Sequence, residues 1–100
     1  MNVDLSVNDN EFLRQFEADI EGELVKIEYA QQDRKIFLTK IIMSEPLKAQ
    51  GYDEIFIETV LEMIKDRETS RVMPTCPTIV SFMRKNRRKY KELLPVGINI

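Results

Sequence analysis

The chain has 100 residues, of which 43% are hydrophobic and 32% are charged, with three glycines and four prolines. This composition is typical of a single globular domain, residues 1–100, and it excludes disordered, collagen-like and disulfide-stapled proteins. The formal net charge is only −2, yet residues 71–100 hold seven basic residues and one acidic residue, while the first third of the chain is strongly acidic.

Two residue types limit the chemistry that the chain can perform. It contains no histidine and a single cysteine, Cys76. An internal disulfide is therefore impossible, and we expect no metal site and neither a Ser–His–Asp triad nor a Cys–His pair. No apolar run reaches the roughly 18 residues of a membrane helix, and the acidic N-terminus lacks the basic and apolar regions of a signal peptide. We expect a cytoplasmic protein without a membrane partner.

The first part of the chain shows the alternation of a β-meander. Residues 1–10 carry few large apolar side chains, so we expect a loose lead-in or a short edge strand. Alternation over residues 11–19 predicts a strand with one mostly buried face. A turn at Glu21–Gly22 then leads to a second, antiparallel strand over residues 24–29.

The remainder of the chain alternates between strands and helices. Residues 35–43 are apolar at both odd and even positions, which predicts a strand in the middle of the sheet that is covered on both faces. Spacings of three and four predict an amphipathic helix over residues 52–66, with Asp53 in its first turn or as its N-cap. A brief strand over residues 71–73 precedes a helix with Pro77 in its first turn.

The order of these elements, β-β-β-α-β-α, predicts the fold class. It indicates an α+β (α/β mixed sheet) fold, in which an antiparallel meander is followed by β-α-β-α. The crossover rule places the fourth strand parallel to the third, so the sheet contains a central parallel pair.

Three segments are candidate sites, and each has a second interpretation. Gly51 precedes a helix, where free N–H groups can bind a phosphate, or it is a simple turn residue. Cys76 lies at a strand-to-helix junction, where it is a nucleophile or a small buried hydrophobic residue. The basic segment, residues 84–91, holds six Lys and Arg residues that bind an anionic partner or form a solvated helix face.

Two motifs carry a resemblance to a known family. VMPTCPTIVSFMRKNRRKYKELL, residues 72–94, combines a strand, a Cys-Pro turn, a helix with a central Phe and a closing Tyr-x-x-Leu-Leu; the motif LKAQG lies upstream. Residues 37–94 thereby resemble the small single-domain members of the GNAT superfamily of acetyl-CoA-dependent acetyltransferases, the YjdJ-like group. The resemblance implies a GNAT-like mixed sheet that splays open where acetyl-CoA lies between the parallel strands.

The resemblance also implies the roles of individual residues. The pantetheine of acetyl-CoA would pair with the backbone of residues 37–43, Ile41 and Met43 included. The residues lining the pyrophosphate site would be Lys48, Ala49, Gln50, Gly51 and Asp53. Cys76 matches the position proposed as catalytic or acetyl-accepting. The implied function is an acetyl-CoA-dependent N-acetyltransferase that acts on an unknown amine acceptor as a monomer or weak dimer.

The chain departs from the family pattern at three positions. Ala49 and Asp53 replace two glycines of the cofactor loop, and Lys40 stands where small members often carry His. The alternative is therefore a degenerate GNAT fold that acts as a non-catalytic binding module. A second alternative is a nucleic-acid-associated protein that uses the basic segment, but an isoelectric point of about 5.2 argues against a nucleic-acid partner.

Overall fold

A computed structural model of the chain describes residues 5–95 and 97–98 and places five strands in one sheet. In chain order, which is also their order in the sheet, they are β1 (Asn8–Asn10), β2 (Gln15–Ile20), β3 (Glu23–Gln32), β4 (Lys35–Ile42) and β5 (Arg71–Pro74). Strands β1 to β4 pair antiparallel, whereas β4 and β5 are parallel. The expected α+β class, the meander and the parallel pair are confirmed, although the pair lies at one edge of the sheet and not in its centre.

Helices follow β4 and β5. They are α1 (Glu45–Ala49), α2 (Tyr52–Arg67), α3 (Pro77–Lys85) and α4 (Arg87–Tyr90), the last continued by a 3₁₀ turn over Lys91–Leu93. The two predicted helices are confirmed, and Pro77 begins α3 as expected. The short helix α1 was not predicted, although Pro46 suits a first helical turn and Leu47 is buried. Among the described residues, no helix is long and apolar enough to cross a membrane.

The hydrophobic core lies between one face of the sheet and the helices. Residues directly opposite each other on paired strands share a face, as Phe16 does with Ile27 and Ile36 with Val72. The largest fully buried side chains from the sheet and from the helices belong to one cluster: Phe16, Ile27, Ile36, Leu38, Phe56, Ile57, Leu61, Ile64, Ile79, Met83 and Tyr90. The opposite face of the sheet is more exposed and mixed in character, with the half-buried polar residues Lys26 and Glu28 beside the half-buried apolar residues Phe37 and Met73.

A β-bulge interrupts β4. Leu38 is opposite Tyr29 and Lys40 is opposite Glu28, so Thr39 is an extra residue without a partner position on β3. The Thr39 hydroxyl donates a hydrogen bond of 3.2 Å to the carbonyl oxygen of Glu28. A bulge of this kind bends the strand and shifts the alternation of its side chains by one position.

The bulge corrects the prediction for residues 35–43. Even-numbered residues, Ile36 and Leu38, are buried before the bulge, and odd-numbered residues, Ile41 and Met43, are buried after it. The shift at the bulge therefore turns both sets toward the same core. Lys40 is exposed. The prediction that this strand is covered on both faces is therefore wrong, and the middle strand of the sheet is β3.

The start of the chain differs in its bounds from the prediction. A short edge strand is confirmed by β1, whereas residues 1–4 lie outside the described residues. The first long strand begins at Gln15 rather than at residue 11, because residues 11–14 form a turn in which Arg14 has a φ of +56°. This turn joins β1 to β2.

Candidate functional site

The parallel strands β4 and β5 separate at their carboxyl ends. Leu38 and Pro74 are their last pair, after which β4 continues to Ile42. The Leu38 carbonyl oxygen accepts hydrogen bonds from the N–H groups of Thr75, at 3.0 Å, and Cys76, at 3.2 Å. The chain after Pro74 is thereby held at Leu38 and then turns into α3. We call the gap between the end of β4 and Cys76 the fork.

The end of β4 presents free backbone to the fork. On the side of β5, residues 39–42 have no strand partner within the described parts of the chain. Ile41 lies in this stretch and Met43 directly follows it, while both side chains are buried in the core. These two predicted pantetheine contacts are therefore available only through their backbone N–H and C=O groups.

Cys76 lies at the fork itself. It is the N-cap residue of α3, and its carbonyl oxygen accepts a hydrogen bond of 2.9 Å from the N–H of Val80. The residue is only 8% exposed and belongs to the hydrophobic core cluster. Its burial fits a small hydrophobic residue, and its role at a reaction centre stays a prediction.

The start of α2 is reached from the carboxyl end of β4 through the short helix α1. Gly51 is the N-cap of α2 with a φ of +86°, a left-handed conformation that favours glycine. Asp53 is in the first turn, so its prediction as the N-cap is wrong. The N–H groups of Tyr52, Asp53 and Glu54 have no acceptor within the helix. Both α2, through α1, and Cys76 thus follow the carboxyl ends of the parallel strands, the side on which open α/β sheets bind ligands.

The predicted pyrophosphate loop is shorter than expected. Lys48 and Ala49 belong to α1, and Gln50 is the C-cap of α1, with its side-chain amide donating to the carbonyl oxygen of Pro46 at 3.2 Å. The Lys48 ammonium group lies 3.7 Å from the Glu45 carboxylate. Only Gln50 and Gly51 separate α1 from α2, so the backbone at this point is fixed by the two helices.

One cation faces the acidic first turn of α2. The Lys85 ammonium group lies 2.9 Å from the Glu54 carboxylate. This hydrogen bond and the attraction to Glu54 raise the pKa of Lys85, and Asp53 adds to the rise. Sequence reasoning missed the pairing, because nothing in the basic segment distinguishes Lys85 from its neighbours before the end of α3 is placed beside α2.

The basic segment also packs beside the outer face of α2. Lys89 lies 3.5 Å from the carboxylate of Glu58 and 3.3 Å from that of Glu62. These contacts favour the interpretation of a solvated helix face. Lys40, which the resemblance matches to a position that often carries His, is exposed and lies opposite Glu28. The described residues contain no group of His, Cys, Asp and Glu side chains that could hold a metal ion.

A comparison of the sequence with known protein families gave a match. A family model described as GCN5-related N-acetyl-transferase matches residues 15–93, from the start of β2 to the 3₁₀ turn. No curated protein matches the chain. The matched range contains the fork, Cys76 and the start of α2.

Proposed function

The chain belongs to the GCN5-related N-acetyltransferase family, and we propose that it transfers an acetyl group from acetyl-CoA to an amine acceptor. The observation that carries the proposal is the fork. Because β4 continues to Ile42 after its last pair with β5, a strand edge is left open beside Cys76. An open edge of this kind suits an extended, amide-containing chain such as pantetheine.

The residues around the fork fit acetyl-CoA in two respects. The backbone of Ile41 and Met43 would hold the pantetheine, and the N-terminus of α2 at Gly51 would hold the pyrophosphate, with Lys48, Ala49, Gln50 and Asp53 around it. Left-handed Gly51 and the free N–H groups that follow it are suited to an anion.

The charge around the start of α2 opposes this fit in part. Asp53 and Glu54 would each repel a pyrophosphate, since two unit charges about 4 Å apart interact by roughly 1 kcal/mol even in water. The ion pair with Lys85 offsets the charge of Glu54. Asp53 makes no ion pair with another described residue, so it is the residue that weakens the site most.

Acetyl-CoA supplies an acyl group that is activated as a thioester. In our proposal Cys76 accepts the acetyl group, because its sulfur is the nucleophile that the fork contains. The Cys76 sulfur would lose its proton as it bonds to the carbonyl carbon, the bond from that carbon to the CoA sulfur would break, and CoA would leave as a thiol that carries the proton. Attack by the amine would then break the bond between Cys76 and the acetyl group, and the proton that the amine loses would return to the Cys76 sulfur. Backbone N–H groups on the open edge of β4 are the donors available to the carbonyl oxygen.

Thermal unfolding with and without millimolar acetyl-CoA tests cofactor binding, because a ligand that binds only the folded state raises the midpoint. We expect a rise for the wild type and none for Gly51→Asp. Gly51→Asn is the matched control, because Asn has a similar shape and tolerates the left-handed conformation without adding a charge. Absence of a rise in the wild type, or an equal rise in both variants, would contradict the proposed site.

A non-catalytic binding module on the same fold is the second candidate function. The acidic residues in the first turn of α2 and the burial of Cys76 favour it. It predicts that acetyl-CoA leaves the unfolding midpoint unchanged.

In either case we propose that the protein acts in the cytoplasm as a monomer or weak dimer.

A further inference from the structure

A polar cavity opens at the edge of the sheet opposite the fork. It has a volume of about 740 Å³ and lies between the β3–β4 turn, the end of α2 and the start of β5. Three cations from separate elements, Arg34, Lys65 and Arg71, contribute to its lining, as do the hydroxyl-bearing residues Thr69 and Ser70.

The cavity is distinct from the proposed acetyltransferase site. Arg71 begins β5, where it lies opposite Lys35, and its N–H donates to the carbonyl oxygen of Arg34 at 2.8 Å. Cys76 lies five residues further along the chain, beyond the other end of this short strand. The strand between them, Arg71–Pro74, is about 10 Å long at about 3.3 Å per residue.

The cations of the cavity are less neutralised than their neighbours. Arg67, also in the last turn of α2, lies 2.8 Å from the Asp9 carboxylate on β1. Arg34 and Lys65 make no ion pair with any described residue. The Arg71 guanidinium donates to the backbone carbonyl oxygen of Glu92, which leaves its charge in place.

The remaining charged groups leave the cavity with an excess of positive charge. Lys89 also lines it, although Glu58 and Glu62 neutralise this residue in part. Two carboxylates, those of Glu68 and Glu92, stand against the four cations. The excess therefore arises from Arg34, Lys65 and Arg71.

We propose that this cavity binds the phosphate group of a small phosphate monoester. Guanidinium groups form paired hydrogen bonds with phosphate oxygens, and Arg34 and Arg71 approach the cavity from two different strand ends. Thr69 and Ser70 add neutral hydroxyl donors. The volume lies in the range of small-molecule sites and leaves room for the organic part of the ester, so a free phosphate ion would fill only part of it.

A titration followed by ¹H–¹⁵N NMR spectroscopy tests this proposal. The probes are inorganic phosphate and glycerol 3-phosphate, added at constant ionic strength maintained with sodium chloride. We expect saturable shifts of the Thr69, Ser70 and Arg71 amide signals, with tighter binding of the ester. Binding of inorganic phosphate alone, linear shifts without saturation, or no shifts would overturn the proposal.

Matched variants locate the binding. Arg34→Gln/Lys65→Gln should weaken binding about a hundredfold, since each change removes one charge-assisted contact that contributes about tenfold. The control Arg14→Gln/Arg84→Gln removes two exposed cations that do not line the cavity and should bind as the wild type does. The single variants Arg34→Gln and Lys65→Gln provide the same comparison if the double variant does not fold. Equal weakening by the control would overturn the proposal.

The titration also separates this inference from the proposed acetyltransferase function. Shifts confined to residues 51–54 would show that phosphate prefers the start of α2, which would overturn the cavity proposal and leave the proposed function intact. Shifts at residues 69–71 that persist with millimolar acetyl-CoA would support a second, independent site. Shifts at residues 69–71 support the cavity proposal whether or not acetyl-CoA binds to the protein.

Discussion

The hydroxyl of Tyr29 on β3 donates a hydrogen bond of 2.7 Å to the carboxylate of Asp9 on the edge strand β1. The other oxygen of the same carboxylate lies 2.8 Å from the Arg67 guanidinium at the end of α2. That guanidinium also lies 5.7 Å from the centre of the Phe16 ring. Asp9 therefore joins the edge of the sheet to the helix layer, which explains how a strand of three residues is held in place.

The contact with Asp9 makes stability depend on pH at the alkaline end. Burial, the hydrogen bond to Asp9 and the negative charge of Asp9 raise the pKa of Tyr29 from 10.0 to about 12. The folded state keeps the phenol proton where the unfolded chain loses it. The stabilisation is thus complete below about pH 10 and is lost as the pH rises through about 12.

A shift of this size corresponds to about 2 to 3 kcal/mol in the free energy of unfolding. Urea unfolding of the wild type and of Tyr29→Phe, from about pH 9 to about pH 12, measures it. We expect the free-energy difference between the two proteins to stay constant up to about pH 10 and to fall from there to about pH 12. A constant difference would contradict the prediction and would mean that the phenol titrates alike in both states.

Asp9 and Arg67 should be energetically coupled. The Asp9 side chain is 10% exposed and that of Arg67 is 37% exposed, so Arg67→Gln leaves a poorly solvated carboxylate, whereas Asp9→Asn leaves a guanidinium that water still reaches. We expect Arg67→Gln to lower the free energy of unfolding by about 1 to 3 kcal/mol and Asp9→Asn to lower it by less, about 1 kcal/mol. The double variant should lose less than the sum of the two. Urea unfolding of all four proteins gives the coupling, and additive losses would show that the ion pair contributes nothing.

The sequence predicts those features of the fold that depend on residues close together in the chain. Gly51 before α2 and Pro77 at the start of α3 are local signals, and the structure has both. The bulge at Thr39 is not visible in the sequence. Apolar residues at both odd and even positions are expected for a strand covered on both faces, and the same pattern results when a bulge shifts the alternation on a strand with one buried face. The contact between Asp9 and Arg67 joins distant segments and depends on the tertiary fold. The proximity of Cys76 to the end of β4 follows only once β4 and β5 are paired.

Cys76 gives the most direct test of catalysis. If it accepts the acetyl group, incubation with acetyl-CoA followed by acid quenching should give a mass increase of one acetyl group on the peptide that contains Cys76. Cys76→Ala should lose this signal and lower amine acetylation by about a hundredfold or more. It should change the free energy of unfolding by only about 1 kcal/mol, because the side chain is small.

The binding-module alternative gives the opposite result for this variant. In that case Cys76→Ala leaves ligand binding unchanged, and the wild-type peptide carries no acetyl group. An acetyl group found on lysine residues but not on Cys76 would remove the cysteine from the mechanism. Thermal unfolding with acetyl-CoA would then decide between direct transfer to the acceptor and the absence of cofactor binding.

Asp53 and Glu54 allow the electrostatics of the proposed pyrophosphate site to be tested with a pair of matched variants. Asp53→Asn removes a half-buried carboxylate that makes no ion pair with any described residue, whereas Glu54→Gln removes one that already contacts Lys85. Removing a repulsion of roughly 1 kcal/mol should tighten acetyl-CoA binding about fivefold for Asp53→Asn. Glu54→Gln should tighten it less, because Lys85 already offsets that charge.

Isothermal titration of acetyl-CoA into both variants measures the difference, and a second titration at high salt should reduce it, since exposed charges are screened. Lys85→Gln is the converse change and should weaken binding, because it leaves Glu54 without its counter-charge. Equal affinities for all three variants would show that the pyrophosphate does not lie at the start of α2. In that case the acidic first turn would serve only to complement the helix dipole.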